Sequence, residues 1–404
     1  MPQRQGSGAS LRFYSNIRAY LDLGFEVEVI QIATADDGSQ PSDDLSPVVW
    51  KRVFEPPAQP SLQGRLLFRA GLPKQASMAY YFAKHFVVLR EVKTRVRSFP
   101  DAVYHLEGES MANVIPWLPK GTRSIWSLHD LPSTVAAATI KIRSEAENRP
   151  PTIPEQRELR FAQRAERFIG KHAPGIVCIA QHDCDQLRDV WQCPQAEYLP
   201  MSIPGDGAER PQKWLQNGKL SLLHLGRVSH LPSYRSLEFL FRHVFPLLPP
   251  QILERISMEV VGTVEPEDER AKTILKLAEP YRNVVFRGFV PDVVPYYQSC
   301  DVQAVGSTDA SGLRTRTIES FAYGLPVLST SVGAKGIAGL TPGRELLIED
   351  TPEGFARQLG KLLETPDLLS VISGHAREFY RSNHARPVIA ERLKLYLQKH
   401  FGSV

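Results

Sequence analysis

An α/β architecture of two parallel-sheet domains is what this sequence predicts, on three observations. Its 404 residues exceed a single domain of ordinary size. Short apolar runs alternate with longer amphipathic segments, the pattern of strands buried between helices. A stretch rich in Pro, Gly and polar residues at 199–219, LPMSIPGDGAERPQKWLQNGK, reads as a linker and splits the alternation into two series.

The first series opens with a helix over 9–23, where Leu11, Tyr14, Ile17 and Leu21 recur at helical spacing until Gly24 stops it. FEVEVIQI (25–32) then alternates as a strand. Further strands are expected at 101–107 (DAVYHLE), 124–129 (SIWSLH) and 175–180 (GIVCIA), with helical segments between them. The second series runs through strand LSLLHLG (220–226), a helix around SLEFLFRHVFPLL, strand SMEVVG (257–262), a charged helix over 265–279 and strand NVVFRGFV (283–290). It continues with a short helix VVPYYQSC (293–300), strand DVQAVG (301–306), a helix near 314–323, strands LPVLST (325–330) and ELLIED (345–350), and a final helical stretch. Each half therefore reads as a Rossmann-like domain. The expected boundaries are 1–205 for the first domain, 206–380 for the second, and a helix over 381–404 packing back on the first. Two such halves facing a cleft would bind ligands at the carboxyl ends of their strands.

Composition narrows the class. Apolar residues make up 42% and charged residues 23%, which excludes disordered and collagen-like chains. Lys and Arg outnumber Asp and Glu by 48 to 44, an excess too small to imply nucleic acid, so no nucleic-acid partner is expected. The four cysteines, Cys178, Cys184, Cys193 and Cys300, form no C-x-x-C pair and point to a reducing compartment without structural zinc. No apolar run approaches the roughly 18 residues of a membrane span and the N-terminus lacks an apolar leader, so a cytoplasmic location is expected.

Chemistry concentrates in 306–339, GSTDASGLRTRTIESFAYGLPVLSTSVGAKGIAG. A loop with Ser307, Thr308, Ser311 and Gly312 opens a helix carrying Arg314, Arg316 and Glu319, and Gly324 ends it. Free backbone N–H groups and the positive end of the helix dipole suit a phosphate. Arginines add bidentate contacts to a diphosphate, and a carboxylate accepts from both hydroxyls of a ribose. The plainer alternative is a solvated helix with Arg316 and Glu319 as an i, i+3 ion pair.

This segment resembles the donor-binding signature of the family 4 retaining glycosyltransferases, which have the GT-B fold. The resemblance extends through LHLGRVSHLPSYRSLEFLFRHVFPLL, MEVVG, NVVFRGFVPDVVPYYQSCDVQAVGS and ELLIEDTPEGFARQLGKLL, and through GSGASLRFYSNIRAYLDLGFEVEVI, IWSLHD and GIVCIAQHD in the N-terminal half. It is strong over 220–363 and weak over 40–100. It implies Glu319 as the ribose-binding carboxylate, with Arg227 and Arg316 on the diphosphate. It also implies that the backbone of Gly312 and Leu313 approaches the donor and that main chain near Phe289 and Val290 meets the base. Gly6 and Gly8 would let the N-terminal backbone approach the donor phosphates and the acceptor.

Three departures from the family pattern stand out. The position eight before Glu319, a second glutamate in the family, holds Ser311, which alters contact with the sugar hydroxyls. A basic residue a few positions after Arg227 is replaced by Leu231, Pro232 and Ser233, and Arg314 or Arg316 is expected to supply the charge. The first strand before the glycine loop is absent, so the chain is expected to lack about 10 residues, roughly one strand and its flank.

His129, before Asp130 at a strand end, matches a family position that contacts the transferred sugar; a hydrogen-bonded structural histidine is the alternative. His105 and Glu107 occupy a similar strand end and are candidates for the acceptor side, although a polar strand-to-loop transition explains them as well. His182 and Cys184 lack partners at tetrahedral spacing. Asp183 and Asp185 form a D-x-D, read as helix capping rather than a metal site. No metal and no cofactor are expected. Residues 61–99 hold Arg65, Arg69, Lys74, Lys84, Arg90, Lys93, Arg95 and Arg97 against Glu91, interleaved with aromatic residues. They read as a solvated helical face or as contact with an anionic membrane.

The resemblance implies transfer of a hexose from a UDP- or GDP-linked sugar to a saccharide or lipid-linked acceptor, with anomeric retention. A nucleotide-sugar epimerase of similar fold, and a catalytically weak glycan-binding protein, remain open alternatives.

Overall fold

The computed structural model describes residues 8–33, 43–54, 86–203, 214–308 and 312–402. The chain divides into two compact units, Met1–Ser202 with Arg386–Val404, and Ile203–Ala385. Helices longer than five residues are numbered below.

The first unit begins with α1 (Gly8–Asp22), which Gly24 terminates in the left-handed region at φ 84°. Strands β1 (Glu28–Ala33) and β2 (Val49–Phe54) form a parallel pair in continuous register, from Glu28 opposite Val49 to Ala33 opposite Phe54. Helix α2 (Phe86–Ser98) leads to β3 (Val103–Glu107) and β4 (Arg123–Leu128). A helical hairpin follows, α3 (Pro132–Ala146) and α4 (Ile153–His172), before β5 (Gly175–Cys178) and β6 (Ala196–Tyr198). Strands β3 to β6 lie side by side in sequence order, all parallel. Thr152 and Glu155 form a reciprocal capping box at the start of α4, satisfying two otherwise orphaned N–H donors.

In the second unit a six-stranded parallel sheet has the order β12-β11-β10-β7-β8-β9. These strands are β7 (Leu220–Leu225), β8 (Ile256–Val261), β9 (Val284–Gly288), β10 (Val302–Val305), β11 (Val327–Ser329) and β12 (Leu347–Ile348). Between them run α5 (Leu231–Glu238), α6 (Glu269–Ala278), α7 (Val294–Ser299) and α8 (Thr315–Ala322). Helices α9 (Pro352–Glu364) and α10 (Asp367–Asn383) close the unit. The first strand, β7, is central and β8 and β10 flank it, so its carboxyl end is where the strand order reverses. Leu222, Val260, Phe241 and Phe355 are among the buried side chains of its core, each contributing about 1.5–3 kcal/mol by leaving water.

The structure revises several sequence expectations. The helix around 236–248 divides into α5, a wide-turn stretch Phe239–Val244 and a tight turn Phe245–Leu247, because Pro246 supplies no N–H. The strand expected at 345–350 shortens to two residues. Strands β2 and β6 are additions. Leu199, Met201 and Ile203, expected in a linker, are buried, and the backbone N–H of Ser202 donates to Ser15 Oγ at 2.8 Å. Residues 204–213 of that linker lie outside the described residues. Helix α10 runs through 381, and α11 (Arg386–Phe401) belongs with the first unit, where Ile389, Leu393 and Leu397 pack with Ala19, Tyr20, Ile125 and Val177.

Candidate functional site

At the carboxyl ends of β7 and β8 stand Gly226 and Gly262, at φ 147° and 144°. A Cβ on Gly262 would lie 2.1 Å from the carbonyl oxygen of Gly226, so this pair of strand ends excludes side chains. Arg227 follows Gly226 directly; its side chain is 62% exposed and lies 3.6 Å from Glu265. The next turn leads to His230 and the N-terminus of α5, with Pro232 in the first turn. Burial, then the positive charges of Arg314, Arg227 and Arg270, hold the His230 imidazole below its ordinary pKa. Three arginines from separate segments therefore converge on this helix N-terminus. Arg270 on α6 also donates to the carbonyl oxygen of Ser229 at 3.3 Å. Its place in the group was not legible in the sequence, where it is one charge in an amphipathic helix.

Beyond β10, Gly306 donates its N–H to Ser236 Oγ at 2.9 Å, tying the loop to α5. Ser307 is buried; its Oγ accepts from Arg314 Nε at 3.3 Å and its carbonyl oxygen from Thr330 at 2.5 Å. Ser311 lies outside the described residues. Gly312 adopts φ 74° before Leu313, Arg314 and the start of α8. One turn into α8, Glu319 is only 5% exposed. Its Oε2 accepts from Arg316 at 2.6 Å and from the Tyr297 hydroxyl on α7 at 2.7 Å. Burial, then the Glu319 charge, pushes the Tyr297 phenol above its usual range, while Glu319 raises the Arg316 guanidinium. Tyr297 in turn stacks on Tyr323 with centroids 4.9 Å apart. The i, i+3 ion pair is present, but it is half of a buried network rather than a solvated face. Phe289, after β9, is 77% exposed, while Val290 packs with Tyr297 and Leu325.

In the first unit, Glu107 ends β3 and His129 follows β4. Glu107 Oε2 lies 3.3 Å from His129 Nε2, and Glu107 Oε1 lies 3.3 Å from His105 Nε2. Asn16 on α1 donates to Glu107, and Tyr20 pairs with His105 Nδ1 at 2.9 Å. Burial pushes the Glu107 carboxyl up, but His105, His129 and Arg12 outweigh it and hold the pKa at about 2. Burial lowers His105 to about 4, so this ring is neutral at physiological pH. Because an ionised carboxylate only accepts, His129 presents Nε2–H to Glu107 and, when neutral, an acceptor at Nδ1. His105, Glu107 and His129 are thus brought together, with Phe13 5.2 Å from His129, ring centre to ring centre. The sequence marks Asn16, Arg12 and Tyr20 only as residues of a helix. Gly8 is the first residue of α1, and Gly6 lies outside the described residues.

The D-x-D separates. Asp183 is buried beside His182, and Asp185 accepts from Gln181 and Arg188. Cys184 is buried against Cys178. Among the described residues no group of three His, Cys, Asp or Glu side chains is arranged to hold a metal ion. Most of the basic cluster at 61–99 lies outside the described residues; of the remainder, Arg95 pairs with Glu28 and Glu91, and Glu91 with Lys51.

Residues 219–365, the strands and helices that carry Arg227, Arg270, Arg314 and Glu319, match the family model Glycosyl transferases group 1. Two Rossmann-like units joined in this way have solved counterparts along the whole chain. This is a GT-B glycosyltransferase fold. Sucrose-phosphate synthase from Thermosynechococcus elongatus aligns over 100% of this chain and 96% of its own, at 16% identity and TM-score 0.67. HepE from Anabaena, solved with UDP, aligns over 98% of each chain at 14% identity and TM-score 0.65. A glycosyltransferase from Rickettsia africae ESF-5 aligns over 99% and 97% at 12% identity and TM-score 0.64. No curated protein sequence matches the chain. In this GT-B chain the matched segment lies wholly within the second unit. No helix among the described residues is long and apolar enough to cross a membrane.

Proposed function

We propose that this GT-B chain transfers a hexose from a UDP- or GDP-linked sugar to a saccharide or lipid-linked acceptor, with retention at the anomeric carbon. The observation that carries the reading is Glu319: a nearly buried carboxylate whose Oε2 accepts from Arg316 and Tyr297, with Oε1 assigned to the ribose hydroxyls. Arg227, Arg270 and Arg314 around the N-terminus of α5 supply positive charge for the diphosphate. HepE, solved with UDP and with UDP-glucose, supports a uridine donor.

Chemically, the acceptor oxygen bonds to the anomeric carbon as its bond to the diphosphate oxygen breaks, and the acceptor proton passes to that departing phosphate. The arginines and the helix N-terminus stabilise the charge that grows there. The backbone of Gly312 and Leu313 lies against the donor, and main chain at Phe289 and Val290 meets the base. His129, oriented by Glu107, is the group proposed for the transferred hexose. Arginines in place of a cation make the reaction independent of metal. Titration with UDP and GDP, followed by product analysis with donor and a panel of saccharides, tests the reading. Binding of neither nucleotide overturns it, and product formed from donor alone indicates an epimerase.

A further inference from the structure

Helix α4 carries Arg157, Arg160, Arg164, Arg167 and Lys171, spaced three and four residues apart and all exposed. At 100° per residue these five cations fall within an arc of about 80° and extend about 21 Å along the helix. None of them has a carboxylate within ion-pair distance among the described residues. The three acids of α4 lie off this arc: Glu155 is held by Arg143 and Arg149, Glu166 binds Ser133 at the start of α3, and Glu158 faces the flank. Ile153, 66% exposed, sits inside the arc, and Phe168, 37% exposed, about 20° beyond its edge. The opposite face, with Glu166, Ile169 and Gly170, is buried, so the helix is fixed on the unit with its basic face outward.

We infer that the Arg157–Lys171 face of α4 is a docking surface for an anionic lipid bilayer. Five unpaired cations on a straight face match a plane of anionic headgroups, and Ile153 and Phe168 at the same face enter the headgroup boundary. A soluble polyanion would satisfy the charges but gains nothing from two exposed apolar side chains. This surface belongs to the first unit and does not depend on the reaction proposed above.

The test is flotation of the full chain with vesicles of equimolar phosphatidylcholine and phosphatidylglycerol, and of phosphatidylcholine alone, at low and high salt. Binding to the anionic vesicles only, weakened by salt, is expected. A variant with Arg157→Gln, Arg160→Gln, Arg164→Gln and Lys171→Gln should bind at least about tenfold more weakly. Arg167 is kept because it stacks 4.2 Å over Trp191. Four Lys or Arg→Gln changes on α6 and α10 serve as the charge-matched control, and unfolding temperatures check that each variant folds. Ile153→Ser with Phe168→Ser should weaken vesicle binding and leave heparin binding unchanged. Absence of vesicle binding, equal binding by the four-glutamine variant, or capture by heparin but not by vesicles overturns the inference.

Discussion

Glu107 and His129 end neighbouring parallel strands, with carboxylate and imidazole 3.3 Å apart. The carboxylate selects one tautomer of the ring, and Asn16 on α1 holds the carboxylate in turn. Replacing Glu107 with Gln keeps the shape and removes the charge that sets that tautomer. Turnover of the Glu107→Gln enzyme should fall about tenfold or more, ~1.4 kcal/mol of transition-state stabilisation, with little change in donor KM. Steady-state kinetics on the folded variant check it.

Acid sensitivity follows from two buried histidines. Burial lowers His105 and His224 to about 4 from an ordinary value of 6.5. Between these values the unfolded chain binds protons that the folded chain refuses, so stability is full above pH 6.5 and falls as pH drops toward 4. Glu107, held at about 2, adds a further loss below its ordinary 4.5. Unfolding temperature should hold level above pH 6.5 and fall from there to about 4, and fall less for His224→Asn.

Tyr297 acts on donor binding through Glu319. Tyr297→Phe removes one of two hydrogen bonds on the carboxylate and should weaken UDP binding about fivefold, near ~1 kcal/mol. Calorimetric titration of UDP reads it out. Arg316→Ala should lower turnover with little change in unfolding temperature; unchanged turnover would remove Arg316 from the donor site.

Arg270 is assigned to the positive group around α5. Arg270→Ala should raise donor KM by about tenfold, and activity of the parent enzyme should persist in EDTA, since arginines carry the neutralising charge. Loss of activity in chelator, restored by a divalent cation, would overturn the metal-independent reading.

The two strand-end glycines give a stability prediction. Gly262→Ala places a methyl group 2.1 Å from the Gly226 carbonyl at a left-handed φ, and should destabilise the second unit by at least about 2 kcal/mol in denaturant unfolding.

Much of this fold could be read from the chain because its signals are local. Strand β7 is a leucine-rich run, LSLLHL, that ends at Gly226, and α8 is an amphipathic turn pattern after a glycine loop, so both declare themselves within a dozen residues. The helix around 236–248 divides where hydrophobic spacing gives no sign of it, because that spacing continues through Pro246 although Pro246 supplies no backbone donor. Strand β6 is not legible in the sequence, because three residues give too few alternations to register.

What the sequence by itself determined is the order of strands and helices, the two-unit α/β class, and the presence of Glu319, Arg316 and Arg227 near strand or helix ends. Only the tertiary structure decided which groups meet. Tyr297 reaches Glu319 across 22 positions and Asn16 reaches Glu107 across 91. Arg270 joins Arg227 and Arg314 at His230 although each comes from a different segment. The charges of α4, mixed along the chain, segregate once the helix turns one face to solvent. Periodicity reports neighbours along the backbone, whereas burial and Coulomb energy depend on distance through space, and the packed fold alone sets that distance.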